Sequence, residues 1–335
     1  MPITDNNEEQ VHHGVAIEHH QEVIADNNEG QVHHEELIVH HEEVIAQPEA
    51  QQNHVQANYN GSTVQVIDKK TPIIFLFGPP SAGKTMTLVR LYRYFRDKGI
   101  KIEPNRSFVS GGKEGADYLI NCGKFEKDAN SDLAADATKG LRFMLLDIYE
   151  GTKKKCQILE SPGEHLFHPD PDLDDFPNQY VSTIINSNNK KIYVFILEPQ
   201  DKKNGKHWTH DSGIRARYKN RIDFVRTKMK PDKGDKVIFL YNKIDESTAL
   251  GEYGKVDMDT LIANIEAEYP GIFNLFANKN ALSRIWRKYN CRLIPFQTGD
   301  YEKRTEVTIN KEVTIFTAGD NKYPQELWET IKNWL

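Results

Sequence analysis

Pro72-Ile73-Ile74-Phe75-Leu76-Phe77 runs straight into Gly78-Pro79-Pro80-Ser81-Ala82-Gly83-Lys84-Thr85. The unbroken apolar run reads as a strand buried on both faces, the pattern of a parallel sheet. Residues 78–85 spell G-x-x-x-x-G-K-T, a loop whose glycines let backbone N–H groups turn inward around phosphate. Gly78, Ser81, Ala82, Gly83, Lys84, Thr85 and Met86 are the expected phosphate-contacting positions. Lys84 is placed to reach the β- and γ-phosphates and to stabilise charge in catalysis, and the Thr85 hydroxyl to meet Mg²⁺. Leu88, Leu91, Tyr92 and Phe95 recur at i, i+3, i+4 and i+7, so a helix comes next, closed by Lys98-Gly99. Its N-terminus points a positive dipole end at the anion.

The loop chooses neither base nor reaction; residues downstream do. Ile192–Leu197 and Lys236–Tyr241 read as two more buried strands, and the second ends in Asn242-Lys243-Ile244-Asp245. A carboxylate at Asp245 can accept from guanine N1–H and the 2-amino group together, a pattern adenine does not present. N-K-x-D at a strand end resembles the guanine-recognition motif of Ras-like and translation-factor GTPases. The resemblance implies that Asn242 ties this turn to the phosphate loop and that the Lys243 stem covers the base.

Lys154–Glu160 reads as a strand leading into Glu160-Ser161-Pro162-Gly163-Glu164. It resembles the D-x-x-G of the same family, with Glu160 in the metal-associated place and Gly163 at the γ-phosphate. Glu164 stands where a neutral water-orienting residue is usual, which implies slow hydrolysis, with His165 or His168 as substitutes. Leu141–Ile148 reads as a strand joined to 154–160 by a hairpin at Gly151 to Lys153, and Thr138 just before it is the candidate switch threonine for Mg²⁺. The stretch 105–136, rich in Gly, Lys, Asp and Asn, reads as an insertion. Cys291–Phe296 reads as a late strand, and Thr298 or Gly299 after it could offer an N–H to guanine O6.

The net charge of −6 hides a division. Residues 1–62 carry twelve acids, no Lys or Arg, and nine of thirteen histidines, so the remaining 43 bases face 37 acids, a balance of +6. Residues 6–47 are a tandem duplication of period 21, with His-His pairs at 12–13, 19–20, 33–34 and 40–41. The histidines fall at the d-like positions, which argues against a stable coiled-coil seam. Three readings stand for this arm: a disordered or weakly helical tail, a partner-induced or self-associating helix, or a metal-binding His tract. Residues 47–62 read as linker. Residues 201–235 carry eleven bases against five acids, with Ile214, Tyr218, Ile222, Val225 and Met229 on one helical face. Further helices are expected around Leu261–Tyr269, Ala281–Tyr289 and Pro324–Leu335, and a strand or hairpin over Glu306–Phe316.

Mean hydropathy is −0.66 and the longest apolar run is six residues, far short of the ~20 that span a bilayer. Three scattered cysteines make no disulfide framework. These observations, with no secretory signal at the N-terminus, point to a cytoplasmic protein.

The expected fold is α/β, a doubly wound and mostly parallel P-loop G domain over 63–335, with the low-complexity arm at 1–62. The resemblance implies a divergent GTPase of the translation-factor and Ras-like (TRAFAC) class, near the bacterial double-GTPase type, binding GTP/GDP and Mg²⁺. Thr85, Thr138 and Glu160 are the metal candidates. The alternative is a guanine-nucleotide scaffold that does not hydrolyse. A protein effector or regulator would meet the arm or the basic 201–235 segment; nucleic acid is disfavoured by a pI near 6.1.

Overall fold

The computed structural model describes residues 56–59, 62–66, 68–79, 82–129, 144–161, 179–199, 212–278, 289–306 and 311–335. The expected Thr138, Gly163, Glu164, His165 and His168, the helix over 281–288 and all of residues 1–50 lie outside them, as does Ser81.

Seven strands make the central sheet, in the order β10-β9-β8-β3-β7-β6-β4. β3 (Ile73–Phe77) and β8 (Lys191–Leu197) are buried at every residue, which is why their sequences carry no alternation. β7 (Lys153–Glu160) and β8 flank β3 in parallel, and β9 (Lys236–Tyr241) and β10 (Arg292–Pro295) extend the parallel part. β6 (Met144–Glu150) runs antiparallel to β7 through the expected hairpin at Gly151, and β4 (Lys101–Pro104) caps the edge antiparallel to β6.

The winding reverses at β3, since β7 lies on one side of it and β8 on the other. In such sheets the crevice outside the carboxyl ends of the strands at the reversal is the ligand site. Right-handed crossovers put the helices on both faces. α1 (Lys84–Asp97), α2 (Gly112–Ala129) and α6 (Lys322–Lys332) gather together; α3 (Gln179–Asn186) and α4 (Ser212–Lys228) form another group; α5 (Met258–Glu268) comes after β9. Phe75, Phe77, Phe195, Phe239 and Phe276 pack through the core in tilted and edge-on pairs with ring centroids 4.0–6.4 Å apart. Trp328 of α6 meets Phe95 of α1 edge-on at 4.7 Å. No disulfide joins Cys122, Cys156 and Cys291.

Two expectations are corrected. First, the stretch 105–136, for which no element was expected, carries a helix. α2 occupies 112–129, burying Tyr118, Cys122 and Phe125 at i, i+4 and i+7. Three glycines at 112, 115 and 123 lower its intrinsic propensity and hid that period.

Second, the linker reading of 47–62 ends too late. β1 (Gln56–Tyr59) pairs antiparallel with β2 (Ser62–Gln65), and β2 with β5 (Val109–Ser110), in a small separate sheet. Asn60-Gly61 between β1 and β2 is a strong hairpin dipeptide and was the available signal. Deleting residues 1–50 should therefore leave Tm within about 1 °C. Deleting 1–62 removes four register pairs and should lower it by several degrees, at about 2–4 °C per kcal/mol for a domain of this size. Equal melting curves for the two truncations would show that β1 contributes nothing.

Candidate functional site

The carboxyl end of β3 opens into the phosphate loop. Gly78 is buried where a Cβ would stand 3.2 Å from the Ala82 Cβ and 3.4 Å from the Ile196 Cβ, so glycine lets the loop sit close against β8. Gly83 adopts φ +86°, the left-handed region that a residue with a Cβ avoids, and α1 begins on it with no side-chain cap. The first-turn N–H groups of α1 thus face the loop, where an anion satisfies them. Lys84 lies folded inward, its Nζ donating to the Gly78 and Pro79 carbonyls at 2.9 Å each. Met86 is buried beneath the first turn.

Thr85 and Glu160, two of the residues expected at Mg²⁺, are brought together. The Thr85 hydroxyl donates to Glu160 Oε1 at 2.9 Å, across the junction of α1 and the end of β7. Glu160 is almost fully buried, and its Oε2 has no hydrogen-bond partner among the described residues. Burial pushes its carboxyl up to about 7, against the Lys84 charge and the Thr85 hydrogen bond, which pull it down. A buried carboxylate oxygen without a donor, beside a hydroxyl at the phosphate loop, is the oxygen donor set that suits Mg²⁺. The longer Glu side chain still reaches Thr85.

The 242–245 turn closes the site on the other side. Asn242 is 1% exposed and its Nδ2 donates to the Ala82 carbonyl at 3.0 Å, the tie the motif implies. Its Oδ1 has no hydrogen-bond partner among the described residues. Lys243 holds φ +54°, rare for a residue with a Cβ. Asp245 sits exposed in the 3-10 turn Ile244–Glu246. Partial burial, with the Asp300 charge beside it, pushes the Asp245 carboxyl above the ordinary carboxylate range, while Lys243 pulls it down.

The last loop joins the same edge. Ile244 N–H donates to the Phe296 carbonyl at 3.1 Å, and Phe296 N–H to the Tyr241 carbonyl at 2.8 Å, so 242–245 and 296–299 are laced together. Thr298 is buried, and Gly299 begins β11 (Gly299–Glu306), which pairs with β12 (Lys311–Ala318) in a hairpin outside the main sheet. Gly319, at the end of that hairpin, lies against Gln297 and Gly299. Arg90 of α1, 1% exposed, donates to the Gly319 carbonyl at 2.7 Å and to Asn321 Oδ1 at 2.8 Å.

Among the described residues, Gly78, Ala82, Gly83, Lys84, Thr85, Met86, Glu160, Asn242, Lys243, Asp245, Thr298 and Gly299 come to one edge of the sheet. Sequence reasoning missed three neighbours. Glu198, the last residue before Pro199, is 2% exposed and pairs with Lys243 at 3.0 Å. The Tyr218 hydroxyl lies 3.1 Å from the Phe77 carbonyl and 3.0 Å from that of Ile196, bracing β3 and β8 just ahead of the phosphate loop. Helical spacing marked Tyr218 only as a core residue. Asp300 comes after Gly299 with no spacing rule to flag it.

The sheet order and the phosphate-loop geometry make this an α/β fold of the P-loop type, a mostly parallel seven-stranded sheet with the loop at the carboxyl end of its reversal strand. No helix among the described residues is long and apolar enough to cross a membrane. No protein-family model matches the chain, and no curated protein matches it. Among solved structures, one described as nucleolar GTP-binding protein 1 from Plasmodium falciparum is similar at 13% identity, over 70% of this chain and 80% of that one, with a TM-score of 0.32. Another, the signal recognition particle receptor SRb-GTP/SRX complex from Chaetomium thermophilum, is similar at 12% identity, over 79% and 99%, with a TM-score of 0.36.

Proposed function

We propose that the chain binds guanine nucleotide and acts as a GTP-hydrolysing switch. The observation that carries this reading is the Asn242 amide on the Ala82 carbonyl at 3.0 Å. It seats a turn carrying a guanine-type carboxylate, Asp245, directly on a phosphate loop. One nucleotide would then lie with its phosphates at 78–86, its base edge at Asp245 and its O6 near the Thr298 and Gly299 backbone.

Lys84 would exchange its two carbonyl acceptors for phosphate oxygens as nucleotide enters. Thr85 and Glu160, with Thr138, would hold Mg²⁺, which when bound neutralises phosphate charge. The backbone donors of the loop and α1 are fixed before the ligand arrives, so they stabilise developing negative charge without reorganising. Gly163 would sense the γ-phosphate, and the segments around Thr138 and Gly163 would order with it and relax after its loss.

A second reading, a nucleotide-bound scaffold without turnover, draws on Glu164. An acid next to the γ-phosphate repels it and does not orient water as a neutral amide does. Chromatography of nucleotide released from denatured protein, followed by single-turnover GTP hydrolysis, tests both. Release of guanine nucleotide with measurable, slow hydrolysis is expected. Guanine nucleotide without hydrolysis selects the scaffold, and adenine nucleotide removes the proposal. In the cell we expect a cytoplasmic protein that meets an effector through its acidic arm or its basic 201–235 segment.

A further inference from the structure

We propose that Glu198 is a positioning residue that anchors the Lys243 side chain across the base site, an inference that rests on the guanine-nucleotide reading above. Glu198 stands at the carboxyl tip of β8 and Lys243 just past the tip of β9, and these strands are adjacent and parallel. The Lys243 ammonium lies 3.0 Å from Glu198 Oε2. The Glu198 side chain is 1% exposed and that of Lys243 is 21% exposed, so the ion pair is drawn inward from the rim.

A buried carboxylate is costly unless a countercharge accompanies it. The phenols of Tyr218, Tyr241 and Tyr269 stand close enough to Glu198 to feel its charge, and their own ionisation is pushed up by burial first. They stay neutral. Lys243 brings a positive charge, and it does so from a left-handed backbone position that strains any residue with a Cβ. Holding both ends of this lysine stretches its four methylenes between the turn and β8. A free lysine would lose its rotamer freedom when a base arrived; here that ordering is complete beforehand. The pair also holds the lysine ammonium on Glu198, so that the carboxylate of Asp245, which still feels that charge, faces the base edge without a mobile cation to fold onto it.

The test needs two readouts. In nucleotide-free protein, Lys243 acylation by an amine-reactive ester is tracked by peptide mass spectrometry against Lys255, which is exposed on the next loop. Lys243 should react several-fold more slowly than Lys255 in the unaltered protein. Glu198→Gln should remove that protection. With fluorescent GDP and GTP, Glu198→Gln should raise both dissociation rates about tenfold, the scale of fixing one long side chain. In a Lys243→Met background the same substitution should change nothing further. A purely structural role would leave the slow Lys243 labelling unchanged in Glu198→Gln and would add to the Lys243→Met effect. Equal labelling of Lys243 and Lys255 overturns the proposal without any variant having to fold. Protection of Lys243 in a protein that binds no guanine nucleotide keeps the ion pair and removes the function proposed above. Guanine binding with additive effects of the two substitutions keeps that function and removes the positioning role.

Discussion

Gly83→Ala should abolish measurable nucleotide binding, a loss of at least about a hundredfold. Two costs coincide there. Alanine at φ +86° is in the left-handed region, at about 1–2 kcal/mol. The added Cβ would stand 2.3 Å from the Asn242 Nδ2, a distance no real contact allows. Asn242 is buried and cannot swing outward, so its hydrogen bond to the Ala82 carbonyl must break. Leaving that buried amide and carbonyl unpaired costs a further ~1–3 kcal/mol. Together these come to ~2–5 kcal/mol, a range that spans the ~2.7 kcal/mol of a hundredfold loss. Fluorescent-nucleotide titration and thermal melting check it. Normal affinity in a folded Gly83→Ala protein would mean that phosphate is held elsewhere.

Asp245→Asn should change which base is bound. The substitution turns one carboxylate oxygen into an NH₂ donor facing the two donors of guanine. GTP affinity should fall by at least about tenfold, since one unpaired buried donor costs ~1–3 kcal/mol and ~1.4 kcal/mol is a factor of ten. Xanthine has a carbonyl at position 2, so xanthosine triphosphate should gain on GTP in the same variant. Lys84→Ala should weaken every triphosphate alike, because in the proposed pose Lys84 would meet the phosphates and not the base. Competition titrations separate the two patterns. If Asp245→Asn binds GTP as the unaltered protein does, Asp245 is not the base acceptor and an adenine nucleotide returns to contention.

The parts of the site legible in the sequence were those where one chemical demand fixes several consecutive residues. Buried parallel strands must be apolar throughout, so β3, β8 and β9 could be read with ends correct to within a residue or so. The phosphate loop and Asn242–Asp245 are written in local code because each is a single turn. Glu198 could not be read that way. Its role depends on β8 and β9 being neighbours, a relation between residues 45 positions apart that no local spacing records. Arg90 is similar: on the helix pattern it is a polar residue, yet it is buried because its partners at Gly319 and Asn321 arrive from far downstream. Helix α2 was hidden for the opposite reason. Its local code was there, diluted by glycine, and packing on the small antiparallel sheet decided it.

The order in which these partners arrive has a bearing on how the protein is made. A ribosome releases the chain from its amino end, so the phosphate loop emerges about 160 residues before the Asn242 that sits on it. Arg90 must wait for Gly319, and Phe95 for Trp328. During that interval a growing chain holds a phosphate-gripping loop with no means of telling one base from another. On the guanine-nucleotide reading proposed above, base selection would come late, because the 242–245 turn, and then the partners of Arg90 and Phe95 at 319–328, emerge after most of the sheet. On that reading, chains stalled on the ribosome before residue 242 should show no preference between GTP and ATP, and the released protein should show the full one.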